Sequence, residues 1–121
     1  MKAWIAIAAL AWCGAAHAAV VDIAWDANGR FEHQSTVAAG KFAEVCGALD
    51  RDQAVQWRFT STGPMAFNVH YHQGKDVVYP VKREATTQAD GRLLANPPQT
   101  YCWMWSNKGS QAVTLQVELQ R

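Results

Sequence analysis

The sequence lacks an excess of charge of either sign. Its 121 residues include 11 Lys and Arg against 10 Asp and Glu, and only 17% of them are charged. Nucleic acids and anionic membranes attract proteins through a basic excess. This balance therefore argues against both as electrostatic partners, and no nucleic-acid partner is expected.

Two further absences concern membranes and catalysis. No apolar run approaches the roughly 20 residues that a membrane-spanning helix needs. The chain also has no Gly-x-Ser-x-Gly elbow, no His-Glu-x-x-His pair and no phosphate-binding glycine loop. A nucleophile pair formed by Cys102 and His70 would have no recognisable group to orient it. We therefore expect neither a membrane span nor an enzyme.

The first 18 residues have the layout of a secretory signal peptide. Lys2 gives a basic start, an uncharged stretch follows from Ala3 to Gly14, and Ala16-His17-Ala18 is an A-x-A cleavage site. Cleavage after Ala18 would leave residues 19–121 as the mature chain. The protein is therefore expected to be periplasmic or secreted.

The mature chain is predicted to be one domain, residues 19–121, because about 100 residues suffice for a single core. We expect it to be a monomer. Removal of Lys2 balances its basic and acidic side chains, and removal of Cys13 leaves two cysteines, Cys46 and Cys102. An even number of cysteines in an exported chain raises the question of a disulfide.

After the signal peptide, apolar and polar residues alternate in short runs, which include those that begin at Val55, Met65, Tyr101 and Val113. Alternation with a period of two predicts strands with one apolar face. No segment keeps a helical period for three turns. About seven or eight short strands of this kind predict an all-β fold, an antiparallel β-sandwich of jelly-roll-like type.

Turn-forming residues separate these runs. Gly63-Pro64, Gln73-Gly74-Lys75 and Asp90-Gly91 are each predicted to be turns. The second of them predicts a hairpin that follows His72, and Pro80 is expected to end its second strand.

An ordered set of elements from residue 37 to the C-terminus resembles the GOLD (Golgi-dynamics) domain family. The elements are Val37-x-x-Gly40, Trp57-x-Phe59, Phe67-x-Val69, the segment from Tyr101 to Asn107, and a closing strand from Val113 to Leu119. Members of this family are jelly-roll-like β-sandwiches in cargo-receptor and lipid-transfer proteins of the secretory pathway. The resemblance implies a fold and a tendency toward binding, and it implies no reaction.

Many cargo receptors of this family also hold a disulfide that links an early strand to the late Tyr-to-Asn strand. Cys46 and Cys102 fall in these two regions. Cys102 lies two residues before the position of the family cysteine, which Met104 occupies here. A step of two residues keeps it on the same strand face, so the resemblance is compatible with a Cys46–Cys102 disulfide.

Two pairs of potential metal ligands fall on the predicted outer faces of their strands. His70 and His72 form an H-x-H pair, and Cys102 and Met104 form a C-x-M pair. Two imidazoles, a thiolate and a thioether are the donors of blue-copper-like sites, and they also suit cuprous ion. If the two strands are neighbours, the four side chains predict a copper site. Zinc would accept the imidazoles and the thiolate but has little use for a thioether.

Two hypotheses for function therefore stay open. The first is an exported, periplasmic copper-binding module that uses His70, His72, Cys102 and Met104. The second is a structural or protein-interaction β-sandwich that a Cys46–Cys102 disulfide staples together. The two largely exclude each other, because a metal needs Cys102 as a thiolate rather than as half of a disulfide. The expected partner is accordingly a metal ion or another protein.

Overall fold

The computed structural model describes residues 20–121, and it is built of β-strands joined by turns. The proposed signal peptide lies outside the described residues. The strands are β1 (Val20–Asp22), β2 (Arg30–Val37), β3 (Phe42–Leu49), β4 (Ala54–Gln73), β5 (Asp76–Leu94), β6 (Gln99–Ser106) and β7 (Val113–Gln120). The all-β prediction is confirmed. Within residues 20–121 there is no helix with the length and apolarity to cross a membrane.

The strands form one curled sheet in the order β1-β3-β6-β4-β7-β2, with β5 paired to β4. Strand β4 belongs to both halves of this sheet. Its residues 56–61 pair with β7, whereas its residues 66–70 pair with β6. Because β4 bends between these two parts, the sheet curls, and the half that contains β7 and the half that contains β6 form the two layers of a sandwich. All the pairs are antiparallel except β1 with β3, which is parallel.

The bend in β4 corrects one prediction from the sequence. Gly63-Pro64 is not a turn between two strands but the middle of a single strand of 20 residues. The pairing of β4 with β5 shifts register between Thr60 and Met65 and again between Met65 and Phe67. Such irregularities bend a strand without ending it, and they carry β4 from one layer into the other.

Strand β5 corrects two more predictions. Pro80 does not end the strand, which continues to Leu94. A register shift beside Pro80 and the position of β5 next to β4 alone give this proline the edge location that it needs. Asp90-Gly91 is not a turn either. A Cβ atom at Gly91 would lie 2.5 Å from the Trp57 ring, so glycine is present because the indole covers the backbone there. The predicted hairpin turn at Gly74 is confirmed by its positive φ of 62°.

A single apolar core lies between the two layers. The Phe59 ring, from the first half of β4, packs on Phe67 from the second half at 4.8 Å and on Trp105 of β6 at 5.7 Å between ring centroids. Trp103 and Trp105 are almost completely buried. These contacts fix which side of each strand faces inward, and alternate residues consequently face outward.

Side-chain hydrogen bonds hold both ends of β6. The Tyr101 hydroxyl donates to the carbonyl of Pro97 at 2.6 Å. At the other end, the Asn107 amide donates to the carbonyls of Val37 at 3.0 Å and Gln111 at 2.7 Å. These bonds secure β6 between β3 and β4, where it supports the residues described next.

Candidate functional site

Outward-facing residues of β3, β6 and β4 form a compact cluster that we call the disulfide face. It comprises Glu44, Cys46, Asn68, His70 and Cys102. Cys46 pairs in register with Cys102, and Cys102 pairs with His70, so the three lie in one row across the sheet. Their chain neighbours Val45, Val69 and Trp103 point into the core. The alternation of the strands thus places these polar and sulfur-bearing side chains together on the outer side.

Cys46 and Cys102 form a disulfide across β3 and β6. Both residues are buried, with 8% and 6% of their surface exposed. The bond joins residues that are 56 positions apart in the sequence, and it therefore links an early strand to a late one. The Cys46–Cys102 disulfide, on which the second hypothesis depends, is therefore present.

His70 is a buried histidine with a defined hydrogen-bond partner. Only 6% of the residue is exposed, and its Nδ1 lies 2.7 Å from Asn68 Oδ1. An amide oxygen only accepts, so Nδ1 carries the proton and donates it. Burial lowers the pKa of His70 below its usual value, the Glu44 carboxylate opposes that shift, and the neighbouring His72 adds to it.

The Glu44 carboxylate lacks the donors that a half-buried carboxylate usually has. Its Oε1 lies 3.6 Å from His70 Nε2 and 3.4 Å from Cys46 Sγ. A disulfide sulfur has no proton to donate, and within residues 20–121 no N–H or O–H group hydrogen-bonds this carboxylate. The side chain is nevertheless only 14% exposed. An oxygen, a nitrogen and a sulfur, all potential metal ligands, thus face one another without a donor between them.

The structure brings together only part of the ligand set that the sequence predicts. Ligand atoms of Glu44, His70 and Cys102 all lie within 4.8 Å of one another. His72 is exposed and stacks edge-on against His70, with 5.4 Å between ring centroids. Met104 lies on the other side of the row, opposite Asn68.

The four predicted copper ligands therefore do not meet at one point. His72 and Met104 flank the row formed by His70 and Cys102 from opposite sides, about 13 Å apart along the strands at about 3.3 Å per residue. In addition, the sulfur of Cys102 is bonded to Cys46 and is not a thiolate. Glu44, which the copper hypothesis did not include, lies 3.6 Å from His70 Nε2 instead, and Cys46 occupies the far end of the row beyond Cys102. Glu44 and Cys46 share one face of β3 by spacing, but the sequence does not reveal that β6 lies between β3 and β4.

A second group of residues surrounds an exposed tyrosine on the same side of the sheet. We call it the tyrosine patch, and it comprises His72, Val77, Tyr79 and Lys82. Val77 lies opposite His72 in the hairpin, and Val77 and Tyr79 are 39% and 48% exposed. The Lys82 ammonium lies 5.3 Å from the centroid of the Tyr79 ring, and His70 lies 5.9 Å from it on the side of the disulfide face.

The other layer carries an open groove of about 590 Å³ on its outer surface. Its polar lining alternates along β2, β4, β5 and β7, and it includes Arg30, Gln56, Arg58, Asp90, Arg92, Glu118 and Gln120. Arg58 forms an ion pair with Glu118 across two of these strands. Three arginines and two carboxylates are interspersed along this open lining, and exposed ion pairs of this kind are ordinary on a solvated sheet surface.

Comparison with known proteins shows the fold and no family. Neither the protein-family models nor the curated proteins contain a match. A periplasmic inhibitor of g-type lysozyme from Aeromonas hydrophila has a similar structure, with a TM-score of 0.65, 12% identity, and coverage of 84% of this chain and 94% of that one. A mitogen from Yersinia pseudotuberculosis has a TM-score of 0.59 and 10% identity, over 75% and 84% of the two chains. The pre-peptidase C-terminal domain of a Bacillus anthracis collagenase has a TM-score of 0.58 and 8% identity, over 83% and 91%.

Proposed function

We propose that the protein is an exported binding module that recognises another protein through the tyrosine patch. The observation that carries this proposal is the position of Tyr79, which is half exposed on the edge strand β5 although its ring is large and apolar. Tyrosines with restricted rotamers are frequent anchors of protein interfaces, because they bury a large area and lose little conformational entropy on binding.

The surroundings of Tyr79 support an interface. Val77 adds exposed apolar surface, while His72 and Lys82 supply polar groups at its margin. This composition, an apolar centre with a polar rim, is typical of protein-binding surfaces. Among the described strands β5 pairs with β4 alone. The backbone on its other side is consequently open to hydrogen bonds from a partner, interrupted at Pro80.

The names of two similar structures agree with a binding role. One is an inhibitor of g-type lysozyme and another is a mitogen. The lysozyme inhibitor is a periplasmic protein. Disulfides persist in oxidising compartments such as the periplasm, and the Cys46–Cys102 bond agrees with export to it. Membership of the GOLD family stays a prediction, which rests on the order of the sequence elements.

Site-specific photo-crosslinking tests the proposed interface. A photoreactive phenylalanine analogue in place of Tyr79 is expected to give one adduct of defined mass in the periplasm of the source cells. The same analogue in place of Gln34, which is exposed on β2 of the other layer, is the matched control. Excess wild-type protein should suppress the Tyr79 adduct, whereas excess Tyr79→Ser protein should not. Absence of the adduct, or equal suppression by both competitors, would contradict the interface.

Copper binding, predicted from the sequence, is a second candidate function; the proximity of ligand atoms from Glu44, His70 and Cys102 suits a metal ion without selecting copper. The disulfide withholds the thiolate that copper would use. Anaerobic titration of the reduced protein with cuprous ion measures this candidate directly. Binding of one equivalent that is lost in His70→Gln would support it, and absence of stoichiometric binding would contradict it.

A further inference from the structure

The strongest unexplained feature of the molecule is the contact between His70 and Glu44. His70 donates a hydrogen bond from Nδ1 to Asn68 Oδ1. Its other ring nitrogen, Nε2, faces the Glu44 carboxylate. Histidines that bind metals commonly donate their other ring N–H in this way, which fixes the tautomer and aims the free nitrogen at the ion. The separation of 3.6 Å between Nε2 and Oε1 is too long for a hydrogen bond. It is close to the distance between two ligand atoms of one tetrahedral zinc ion, about 3.4 Å for bonds of about 2.1 Å.

The remaining two ligands of such a site would be the sulfur atoms of Cys46 and Cys102, which are bonded to each other in the disulfide. Cys46 Sγ lies 3.4 Å from Glu44 Oε1, and the ligand atom of Cys102 lies within 4.8 Å of those of both Glu44 and His70. While the sulfurs are bonded to each other, neither is a thiolate. The oxidised protein therefore offers one nitrogen and one oxygen, too few for tight zinc binding, whereas a structural zinc site has four ligands.

Reduction would change the number of donors from two to four. A dithiol reductant gives two electrons and two protons to the disulfide, the S–S bond breaks, and the reductant becomes a disulfide. The two thiols formed are those of Cys46 and Cys102. When a metal ion binds, both thiols lose their protons to solvent and bind as thiolates. The sulfurs then need to stand about 3.8 Å apart for zinc–sulfur bonds of about 2.3 Å, a change that rotation of the two side chains can provide.

We propose that reduction of the Cys46–Cys102 disulfide creates a four-coordinate zinc site formed by Glu44, Cys46, His70 and Cys102. In the reverse step a disulfide oxidant takes two electrons from the thiolates and two protons from solvent and becomes a dithiol; the Cys46–Cys102 bond re-forms, two ligands are lost and the metal is released. The three strands that carry these residues are neighbours in the sheet and their register is set by the core. Side-chain rotation would have to bring Cys46 Sγ, which lies beside Glu44, toward the ligand atoms of His70 and Cys102. This inference is independent of protein binding at the tyrosine patch.

The donor set favours zinc over copper and over hard cations. Two thiolates, an imidazole and a carboxylate are all ordinary zinc ligands, and tetrahedral geometry is ordinary for zinc. A carboxylate is a poor ligand for cuprous ion, which prefers sulfur and imidazole. Calcium and magnesium prefer oxygen ligands in larger number.

The test compares zinc binding by the oxidised and the reduced protein. The purified mature protein is titrated with zinc in each state, with a chromophoric chelator as competitor and under anaerobic conditions for the reduced state. Cobalt(II) in place of zinc reports ligand type, since cobalt–thiolate bonds give charge-transfer absorption. We expect one equivalent of zinc in the reduced state, with at least about 100-fold lower affinity in the oxidised state, and cobalt–thiolate absorption in the reduced state alone.

Variants assign the ligands. Glu44→Gln and His70→Gln should each weaken zinc binding by more than the 10- to 100-fold that loss of a hydrogen bond behind a ligand costs, while His33→Gln, the matched control on β2 of the other layer, should bind as the wild type does. Tryptophan near-ultraviolet circular dichroism checks the fold of each reduced protein. If a reduced variant is unfolded without metal, its zinc affinity is measured instead from the zinc concentration at which this circular dichroism signal returns. Equal zinc affinity in both redox states, or wild-type affinity in His70→Gln, would overturn the proposal.

Discussion

The Nε2 atom of His70 and the Oε1 atom of Glu44 face each other 3.6 Å apart, beside the buried Cys46–Cys102 disulfide. His70 belongs to β4 and Glu44 to β3, with β6 between them in the sheet. The Nδ1–H group of His70 donates a hydrogen bond to Asn68 Oδ1. The pair therefore consists of a nitrogen and an oxygen that can both bind a cation, held at that spacing by three paired strands.

Substitution of Asn68 tests whether it orients the imidazole. Asn68→Ala is expected to weaken zinc binding by the reduced protein roughly 10- to 100-fold while one equivalent still binds, because the ligand survives and only its orientation is lost. Chelator competition measures the affinity. Gln34→Ala, on β2 of the other layer, should leave it unchanged. A loss in stoichiometry instead of affinity would show that Asn68 acts in another way.

Removal of the disulfide should lower stability substantially. The bond closes a loop between residues 56 positions apart, and a loop of this size restricts the unfolded chain by an amount worth about 2–4 kcal/mol. The double variant Cys46→Ser/Cys102→Ser is therefore expected to unfold at lower urea concentration than the oxidised wild type. Equal midpoints for the two proteins, measured without added metal, would show that the bond contributes no stability.

The stability of the oxidised protein should decrease when the pH falls below about 6.5, the usual pKa of histidine. Burial lowers the pKa of His70 in the folded state, so the unfolded chain binds a proton more readily than the folded one in the window between these two values. Linkage then lowers the free energy of unfolding as the pH falls through that window, and the full contribution is present above it. Glu44, His72 and Tyr79 are the titratable groups that face His70. Urea unfolding at several pH values measures the effect, which should be smaller in His70→Gln and unchanged in His33→Gln.

Gly91 should tolerate no side chain. A Cβ atom there would lie 2.5 Å from one carbon of the Trp57 indole and 2.8 Å from another, and the buried ring has little room to move. Gly91→Ala is expected to cost about 1–3 kcal/mol, the usual range for overpacking. Thermal unfolding measures the change, with the exposed neighbour Asp90→Ala as control. A loss no greater than that of the control would mean that the ring shifts freely.

The sequence predicts the layers of this fold better than their connections. Apolar alternation around Val55 and Met65 identifies both halves of β4 correctly, because burial imposes the same period on each. It does not show that Gly63-Pro64 joins them into one strand. Glycine and proline favour turns and irregular strands alike, and only the pairing of β4 with both β6 and β7 decides between the two.

The candidate site was predictable to a similar extent. Strand alternation correctly places His70 and Cys102 on outer faces, and the structure makes them register partners. Periodicity does not give the register between β4 and β6, so it could not show whether Met104 and His72 lie near each other. In the structure they lie on opposite sides of the His70–Cys102 pair. Glu44 was missed because a single glutamate on a strand carries no signal until its neighbours are known.

X-ray absorption spectroscopy of the reduced, zinc-loaded protein tests the proposed zinc site most directly, because it counts sulfur and light-atom ligands separately. The proposed site predicts two sulfur atoms at about 2.3 Å and two nitrogen or oxygen atoms at about 2.0–2.2 Å from zinc, and His70→Gln should change the light-atom shell and keep both sulfurs. A zinc ion with no sulfur ligand, or with a single one, would contradict a site formed by Cys46 and Cys102 together with His70 and Glu44.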